Sequence, residues 1–557
     1  MEMTSKLPRL FLYLLTALFF LNLVQSYFTE LIFDEAYYWY YAQQLDWGYF
    51  DHPPMVALLI KMGAIFFDGE LGVRFMSCLL SVGTFLVLWL LIENPKKDKY
   101  VPHFFVLVFS MTLLNVYGFF TLPDTPLLFF TALFLLVYKN YIKSPNLGMA
   151  TVMGIVMAAL MYSKYHAVLV IVFILLSNIK LIFDKYAWLS VFVALLCYTP
   201  HFLWLYQNDF VSIKYHLTER PNRAYEFEDF TLGFFVNLVA IFGLLFPWMY
   251  KSLFKTKATD KFVKALLYLS YGVILFFFIS SFNRRVQTQW IIVISIPMVI
   301  IAFNYLLEHQ GFRKWVFRVG LVSTIIILFL RVGLIYQPLF PVIYESHGNK
   351  AWVHAIQSQI GDIPVVFENS YRQAPMYAFY SGNPSFSLNN IYYRQNQYTI
   401  DNSESKVQHK KVLYASKYMK GGDITYLNNK GTPHFGIYID DFESFRKLRC
   451  IVEDRPISLQ EDREILVELY NPYNYDIDLQ KLQFKLAYLN KYKQVKEVTA
   501  LEAVSILPNV SIIKSKDTVP FTFKLPPPKM ANPYYFKVGI SENGLYLGLN
   551  GQNVKLE

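Results

Sequence analysis

The first 340 residues of this chain consist largely of apolar runs, each close to the length that a helix needs to cross a bilayer. Only helices and closed barrels span lipid, because every backbone N–H and C=O must be bonded within the protein. The pattern therefore predicts a polytopic α-helical membrane protein with about eleven spans, and up to about thirteen. We expect the spans near residues 10–24, 71–92, 101–121, 126–142, 147–162, 165–179, 186–206, 231–250, 262–281, 286–307 and 315–336.

Composition supports this class and argues against others. Of the 557 residues, 55% are hydrophobic and 18% are aromatic, more than soluble globular proteins usually contain. The net charge of +10 arises mainly from Lys and Arg in short loops, where they act as topology signals, so we expect no nucleic-acid partner. Cys78, Cys197 and Cys450 are too far apart in sequence to suggest a disulfide framework or a Cys-ligated metal.

The basic loops set the expected orientation. With a cytoplasmic N-terminus, alternate loops place their Lys and Arg residues on the inside. The opposite face then receives the acidic stretch 33–54, the turn 122–126, the break 163–166, the loop 207–230 and the turn 283–285. All the unusual polar residues of residues 1–340 therefore fall on one predicted side, outside the cytoplasm.

The chain changes character after about residue 340, where apolar runs shorten and none is long enough to span a bilayer. Residues 341–450 predict an extracytoplasmic α/β domain, with strand-like stretches at 363–367 and 411–416 and a helix-like stretch near 370–380. Residues 451–557 predict an extracytoplasmic β-sandwich, because alternating runs are separated by Pro, Asn and Gly turns. Those runs are EILVELY, QFKLAYL, PFTFKL and YYFKVGI.

Acidic residues gather at the predicted outer ends of the spans. Asp34 and Glu35 follow the first apolar run, and Asp124 lies in a turn flanked by prolines. Carboxylates at a membrane boundary are costly unless they are used or paired, so these three are candidate catalytic residues for a proton, a cation or an acceptor hydroxyl. Two structural alternatives stay open: Asp34 and Glu35 can cap a helix, and Asp124 can serve as a turn former.

Basic residues on the same predicted face are few. Lys164 interrupts a long apolar stretch, and Arg284 and Arg285 precede a late one. Each alone can snorkel toward lipid headgroups. Beside carboxylates, however, they suit an acceptor on one side and a lipid phosphate leaving group on the other.

Five motifs carry a resemblance to a known family. Together they resemble the GT-C glycosyltransferases of the dolichyl-phosphate-mannose-protein mannosyltransferase superfamily, and above all its bacterial aminoarabinose-transferase-like branch. The resemblance covers about residues 5–340. It implies an inverting hexosyl- or pentosyltransferase of the bacterial inner membrane, with a polyprenyl-phosphate sugar as donor and an extracytoplasmic lipid, glycan or protein as acceptor. The motifs are the DE pair at 34–35, DWGYFDHPP at 46–54, LPDTP at 122–126, SKY at 163–165 and RRVQTQW at 284–290.

The resemblance also implies roles for single residues. Asp34 is the acidic residue that activates the acceptor, with Glu35 beside it, and Asp124 matches the second family carboxylate. Lys164 matches a lysine near the donor phosphate, and Arg285 matches a basic residue at the start of a late span. Arg284, beside it, is a further candidate for binding the donor phosphate.

The chain departs from that branch at Asp51 and His52, which stand where the branch has Glu-Lys before Pro-Pro. A neutral histidine cannot replace a permanent phosphate-binding charge. Either acidic surroundings protonate His52, or the phosphate contacts come mainly from Lys164, Arg220, Arg223 and Arg285.

Two further alternatives remain. No cofactor is required by the sequence, but a divalent metal held by Asp51, His52 and His216 is a possible addition, without a ligand-spacing motif to support it. A transporter or flippase of lipid-linked saccharides would also place charges in a helical bundle. That function predicts inverted repeats and polar residues at mid-span, and the sequence displays neither.

Overall fold

The computed structural model describes residues 7–340, 342–453, 455–459 and 464–557. The chain forms two compact units, and the second unit draws on two separate parts of the sequence. The first unit extends to Phe210 and resumes at Tyr225–His347, whereas the second consists of Val211–Ala224 and Gly348–Glu557.

The first unit is built from apolar helices. Among the described residues, eight helical stretches are long and apolar enough to cross a membrane, by length and composition. They confirm the predicted class of multi-pass helical membrane protein. The stretches are Arg9–Phe28, Gly69–Leu91, Asp124–Lys143, Lys185–Gln207, Glu228–Lys255, Lys261–Ser280, Thr288–Glu308 and Gln310–Ile335.

Three other predicted spans are shorter helices in the structure. The run at 101–121 divides into Val101–Phe109 and Thr112–Val116, because the backbone turns extended at Met111. Leu147–Ser163 and Ala167–Ser177 are separated by an extended residue at position 164. The polar interruptions visible in the sequence are thus real helix ends.

The α-helices lie between Arg9 and Ile400 and are labelled here in chain order. They are α1 (Arg9–Phe28), α2 (Phe33–Gln43), α3 (Met55–Gly63), α4 (Gly69–Leu91), α5 (Val101–Phe109), α6 (Thr112–Val116), α7 (Asp124–Lys143), α8 (Leu147–Ser163), α9 (Ala167–Ser177), α10 (Lys185–Gln207), α11 (Val211–Lys214), α12 (Gly233–Phe242), α13 (Phe246–Lys255), α14 (Lys261–Ser280), α15 (Thr288–Ile291), α16 (Ser295–Glu308), α17 (Gln310–Ile335), α18 (Asn349–Ile360), α19 (Gln373–Ser381) and α20 (Gln397–Ile400).

Aromatic rings occupy part of the core of the first unit. Phe11 lies 4.8 Å from Trp89 between ring centroids, and Trp89 lies 5.1 Å from Phe104. Phe104 in turn meets Phe303 edge-on at 5.4 Å. These contacts join α1, α4, α5 and α16, so helices that are distant in sequence pack around one interior.

All the named strands belong to the second unit. They are β1 (Val365–Glu368), β2 (Ser385–Leu388), β3 (Lys410–Ser416), β4 (Ile424–Leu427), β5 (Pro433–Phe442), β6 (Arg449–Val452), β7 (Glu464–Tyr470), β8 (Ile477–Asp478), β9 (Gln483–Leu489), β10 (Val495–Ala500), β11 (Val504–Ser505), β12 (Ile512–Ile513), β13 (Thr518–Lys524), β14 (Tyr535–Ser541) and β15 (Val554–Lys555).

The first five strands form one mixed sheet in the order β2-β1-β3-β5-β4. β1 runs parallel to both β2 and β3, with Phe367 opposite Ser387 on one side and Ala415 on the other. β5 is antiparallel to β3 and β4. With α18 and α19, this sheet confirms the predicted α/β character, and β1 and β3 match the strand-like stretches at 363–367 and 411–416.

The later strands form two antiparallel four-stranded sheets, β10-β9-β14-β15 and β11-β13-β7-β6. In β7 the side chains alternate between exposed and buried along the first six residues, as the sequence pattern predicts for a sheet with one covered face. Leu469, Leu486, Val519 and Phe536 are buried in the shared hydrophobic core of these sheets. The predicted sandwich is confirmed.

Candidate active site

The predicted acidic pair begins helix α2, but its two members have different surroundings. Asp34 is half-buried in the first turn of the helix. Glu35 is completely buried, and its Oε2 accepts a hydrogen bond from the backbone N–H of Ile32 at 3.1 Å. Carboxylates are favourable at a helix N-terminus, so the capping alternative holds for Glu35.

Glu35 also pairs with Arg74, a residue of α4. Arg74 Nε donates to Glu35 Oε1 at 2.7 Å, and Nη2 lies 2.5 Å from Oε2, with neither side chain exposed. Nη1 of the same guanidinium donates to the carbonyls of Ser26 and Thr29, where α1 ends. Arg74 therefore fastens the end of α1 to the start of α2.

A third contact links Glu35 to the turn before α7. The N–H of Thr121 donates to Glu35 Oε1 at 2.9 Å, and the Thr121 hydroxyl donates to the Val73 carbonyl at 2.9 Å. The Thr125 hydroxyl contacts the carbonyls of Tyr117 and Phe120 at 3.1 and 3.0 Å. This predicted turn is thus held by side-chain bonds at both ends, and Asp124 opens the helix that follows.

Asp124 forms a buried ion pair with Lys164. The Nζ of Lys164 lies 2.7 Å from Asp124 Oδ1, and both side chains are only 5% exposed. Lys164 occupies the extended residue between α8 and α9, as the interruption in the sequence indicates. The predicted second carboxylate and the predicted phosphate-binding lysine therefore meet in one place.

Tyr117 is buried, and it lies within electrostatic range of Asp34, Asp124 and Tyr344. It stands between α6 and α7, four residues before Thr121, whose N–H binds Glu35. Both candidate catalytic carboxylates therefore act on one tyrosine, although 90 positions of sequence separate them.

Two buried arginines support the aromatic pair that precedes this turn. The guanidinium of Arg331 lies 4.4 Å from the Phe119 ring centroid, and that of Arg74 lies 4.9 Å from Phe120. Arg331 also donates to the side-chain oxygens of Asn115 and Asn22 at 2.8 and 2.9 Å. Our sequence reasoning missed both arginines, although a charged residue inside an apolar run is a signal of special use.

The segment between α2 and α3 is held against α10. Trp204 Nε1 donates to Asp46 Oδ2 at 2.8 Å, and His201 Nδ1 lies 2.7 Å from the Trp47 carbonyl. A Cβ at Gly48 would lie 2.4 Å from the Trp204 ring, so this close approach requires glycine. The motif at 46–54 is thus a fitted segment and not a loose loop.

Asp51 and His52, predicted to bind metal or phosphate, face tyrosines in this segment. Asp51 is buried and accepts hydrogen bonds from the hydroxyls of Tyr37 and Tyr41 at 3.0 and 3.4 Å. The His52 ring meets Tyr38 edge-on at 5.6 Å. Both residues are therefore joined to the aromatic face of α2.

Within the part of the chain that the structure describes, no group of three or more His, Cys, Asp and Glu side chains could hold a metal ion. Of the three predicted ligands, Asp51 accepts hydrogen bonds from the Tyr37 and Tyr41 hydroxyls, and His216 belongs to the second unit. The metal site at Asp51, His52 and His216 stays a prediction.

The remaining predicted cations fall into two groups. Arg284 and Arg285 lie in the turn after α14, where Arg284 is half-buried and Arg285 is exposed. His216, Arg220 and Arg223 lie on Val211–Ala224, which belongs to the second unit. That segment bonds to strand-flanking residues of the same unit: Asn222 N–H donates to the Tyr492 carbonyl at 3.1 Å, and Gln494 Nε2 donates to the Asn222 carbonyl at 3.2 Å.

Comparison with known proteins finds one matching family model and one similar characterised protein. The family model described as dolichyl-phosphate-mannose-protein mannosyltransferase matches residues 51–204. The lipid A galacturonosyltransferase RgtD of Rhizobium johnstonii is 25% identical over 309 residues, which cover 51% of this chain and 63% of that protein. The match therefore spans less than two thirds of this relative's length.

Two solved structures share the fold. ArnT from Cupriavidus metallidurans in the apo state superposes with a TM-score of 0.54 at 14% identity, covering 73% of this chain and 92% of ArnT. The same protein bound to undecaprenyl phosphate gives 0.52 at 13% identity with the same coverage. The chain therefore shares the fold of these ArnT structures, and over residues 51–204 it is similar to the dolichyl-phosphate-mannose-protein mannosyltransferase family.

Proposed function

We propose that this protein is a membrane glycosyltransferase that moves one sugar from a polyprenyl-phosphate donor to a lipid acceptor outside the cytoplasm. The observation that carries the proposal is the buried Asp124–Lys164 pair, 2.7 Å apart, in a turn that Glu35 joins to the start of α2, where Asp34 lies. A site of this kind offers a carboxylate for a proton beside a cation for a phosphate. The lipid A acceptor of RgtD and the undecaprenyl phosphate bound to ArnT support both lipid partners.

In the proposed reaction, Asp34 draws the proton from an acceptor hydroxyl. The acceptor oxygen forms a bond to the anomeric carbon as the bond from that carbon to the phosphate oxygen breaks. One displacement of this kind inverts the anomeric configuration. The lipid phosphate leaves with the bonding electron pair, and the protein must stabilise the charge that develops on it.

Lys164 is suited to stabilise the charge that develops on the departing lipid phosphate. An ammonium has three N–H donors, and its contact with Asp124 occupies one of them. Asp124 keeps Lys164 in place and offsets its charge until the anionic donor arrives. Arg284 and Arg285 supply further positive charge in the turn after α14.

We assign Glu35 a supporting role. Its carboxylate is enclosed, paired with Arg74 and bonded to two backbone N–H groups, which leaves it unsuited to accept a proton from a substrate. It instead holds the start of α2, which carries Asp34, to the turn before α7, the helix that Asp124 begins. This proposal departs from the catalytic role expected from the sequence.

The direct test uses purified full-length protein, lipid A, and undecaprenyl phosphates that carry galacturonic acid, aminoarabinose or mannose. Mass spectrometry measures released undecaprenyl phosphate and glycosylated lipid A. We expect turnover with at least one donor and loss of turnover in Asp34→Asn, since the amide cannot accept the proton. The exposed Asp68 gives the matched control Asp68→Asn, which should behave as wild type. Full turnover in Asp34→Asn would refute its role.

A further inference from the structure

Arg284 and Arg285 lie on the turn that joins α14 to α15, which we call the arginine turn and define as residues 281–288. Charged groups on a turn are placed less accurately than groups on a helix or strand, unless other side chains fix the backbone. Hydrogen bonds fix the arginine turn at both of its ends. The residues that form them lie on α12 and on the single helical turn that precedes it, Glu228–Leu232.

Asn237 holds the second end of the arginine turn. Its Nδ2 donates to the Val286 carbonyl at 2.9 Å, and its Oδ1 accepts a hydrogen bond from the Thr288 hydroxyl at 2.6 Å. One carboxamide therefore fixes the backbone directly after Arg285 and the first residue of α15. Asn237 interrupts the otherwise apolar helix sequence GFFVNLVAIF, where an amide is costly unless it is hydrogen-bonded.

A chain of hydroxyl groups holds the first end of the arginine turn. The Ser281 hydroxyl donates its only proton to the Phe278 carbonyl at 2.6 Å. It therefore accepts from the Thr231 hydroxyl at 3.4 Å, and Thr231 in turn accepts from the Tyr225 hydroxyl at 2.8 Å. Ser281 is completely buried, so water does not compete for these bonds. Thr231 lies six residues before Asn237, and one short stretch of chain thus holds both ends of the turn.

The backbone between these two ends is also bonded. The N–H groups of Asn283 and Arg284 both donate to the Ser280 carbonyl, at 3.0 and 2.9 Å. Val286 is only 2% exposed, so its side chain anchors the chain on the far side of the two arginines. The backbone of the pair is therefore fixed before and after it, while the Arg285 side chain is exposed.

We propose that Asn237 is a positioning residue for the donor phosphate, because it fixes the arginine turn so that Arg284 and Arg285 face that phosphate. A guanidinium binds phosphate through hydrogen bonds of fixed direction, so its affinity depends on how well the backbone beneath it is held. A turn that is already ordered also avoids an entropy loss on binding. The inference rests on the proposed function, which makes a polyprenyl phosphate the leaving group.

Fluorescence titration of purified full-length protein with undecaprenyl phosphate tests this role. Asn237→Ala should weaken binding by about fivefold, because two hydrogen bonds that fix the turn are lost. Thr288→Val removes one of these bonds from the opposite side and should also weaken binding, whereas Thr288→Ser keeps the hydroxyl and should bind as wild type. Undiminished binding by Asn237→Ala, or by Thr288→Val if only that variant folds, overturns the proposal.

Tyr250→Phe is the matched control for general damage to α12. The Tyr250 hydroxyl donates to the Leu238 carbonyl at 3.0 Å, a bond that joins α13 to α12 and not to the arginine turn. Its loss should leave the affinity for undecaprenyl phosphate unchanged. If Tyr250→Phe weakens binding as much as Asn237→Ala does, any damage to α12 lowers the affinity and the positioning role is wrong.

A double-mutant cycle separates positioning from overall stability. In protein that already carries Arg284→Ala and Arg285→Ala, the change Asn237→Ala should weaken binding by less than about twofold, because the groups that it positions are absent. A full loss of about fivefold in that background would mean that Asn237 acts through other groups, which overturns the proposal. Sugar transfer by wild type is assayed separately, and its failure alongside the expected cycle would count against the proposed function alone.

Discussion

Glu35 and Arg74 form a two-point ion pair in which neither side chain has exposed surface. The same carboxylate binds the N–H of Thr121, so it joins the start of α2 to the turn before α7. Asp34 and Asp124 stand at the two places that Glu35 connects. The geometry of the candidate site therefore depends on a group that does not itself face a substrate.

Glu35→Gln should destabilise the first unit by about 3–5 kcal/mol, because Arg74 is left buried without a counter-charge. We expect a lower midpoint of thermal unfolding in detergent, followed by circular dichroism, together with slower transfer. The pair of Lys96 and Glu308, 2.6 Å apart with both side chains exposed, is the control. Glu308→Gln should leave the melting temperature almost unchanged, because an exposed ion pair contributes little to stability. Equal melting of both variants would contradict the structural role of Glu35.

Variants of the Asp124–Lys164 pair can separate its contribution to stability from its contribution to sugar transfer. Lys164→Ala should lower both stability and donor affinity, since it strands a buried carboxylate and removes a phosphate contact. The double variant Asp124→Asn with Lys164→Met removes both charges, so its melting temperature should recover. The rate of sugar transfer by the double variant should stay low. Recovery of transfer as well would reduce the pair to a structural element.

Arg285→Ala should weaken binding of undecaprenyl phosphate by about tenfold, the loss of one charge-assisted contact, without changing the melting temperature of the protein. Arg285→Lys should retain part of the affinity, because it keeps the charge and loses the planar fork. Lys314→Ala removes another exposed cation as control. Fluorescence titration with the lipid phosphate measures each affinity, and equal values for Arg285→Ala and wild type would remove Arg285 from the site.

Burial raises the pKa of Glu542 to about 7, which predicts a pH dependence of stability. An unfolded glutamate titrates at a lower pH, so the folded state holds its proton longer and stability falls as pH rises from about 4.5 to 7. The full effect amounts to about 3 kcal/mol above that window. The Glu542→Gln variant should lose this pH dependence of stability.

Labelling of the buried Cys450 thiol provides the readout for that variant. Wild type should react faster than Glu542→Gln at pH 8, by about tenfold or more, and the two should react alike at pH 5. Comparison at equal pH cancels the intrinsic reactivity of the thiol. A constant ratio across this range would show that Glu542 does not titrate in the folded protein.

Membrane orientation remains a prediction that labelling can decide. In a cysteine-free background, Gln44→Cys in intact spheroplasts should react with an impermeant maleimide, and Lys257→Cys should not. Both positions are exposed, so access depends on the side of the membrane. The reverse pattern would place the candidate site in the cytoplasm and contradict the proposed donor and acceptor geometry.

Features that depend on local order were predictable from the sequence. The stretches at 464–470 and 483–489 are β7 and β9 residue for residue, because alternation along a strand is visible without knowledge of its neighbours. The break at Lys164 and the turn at Asp124 also lie where the sequence placed them. Short-range polar interruptions of apolar runs are sufficient for such predictions.

Features that depend on partners far apart in the sequence could not be predicted from the sequence. Glu35 and Arg74 are 39 positions apart, and nothing in either stretch indicates that one binds the other. Likewise, a charge-based interpretation groups Arg220 with Lys164, although only tertiary packing decides to which unit a loop belongs. The isolated arginines in apolar runs, Arg74 and Arg331, were the available signal.

The membership of Val211–Ala224 in the second unit has a consequence for biosynthesis. This segment connects α10 to α12, yet the rest of its folding unit begins at Gly348. During synthesis this segment is made more than a hundred residues before the rest of its folding unit. Over that interval it is already connected at both ends to membrane helices. Its contacts with Tyr492 and Gln494 therefore form late and at high sequence separation, which slows folding. Chaperone dependence and degradation of stalled intermediates should concentrate at this step.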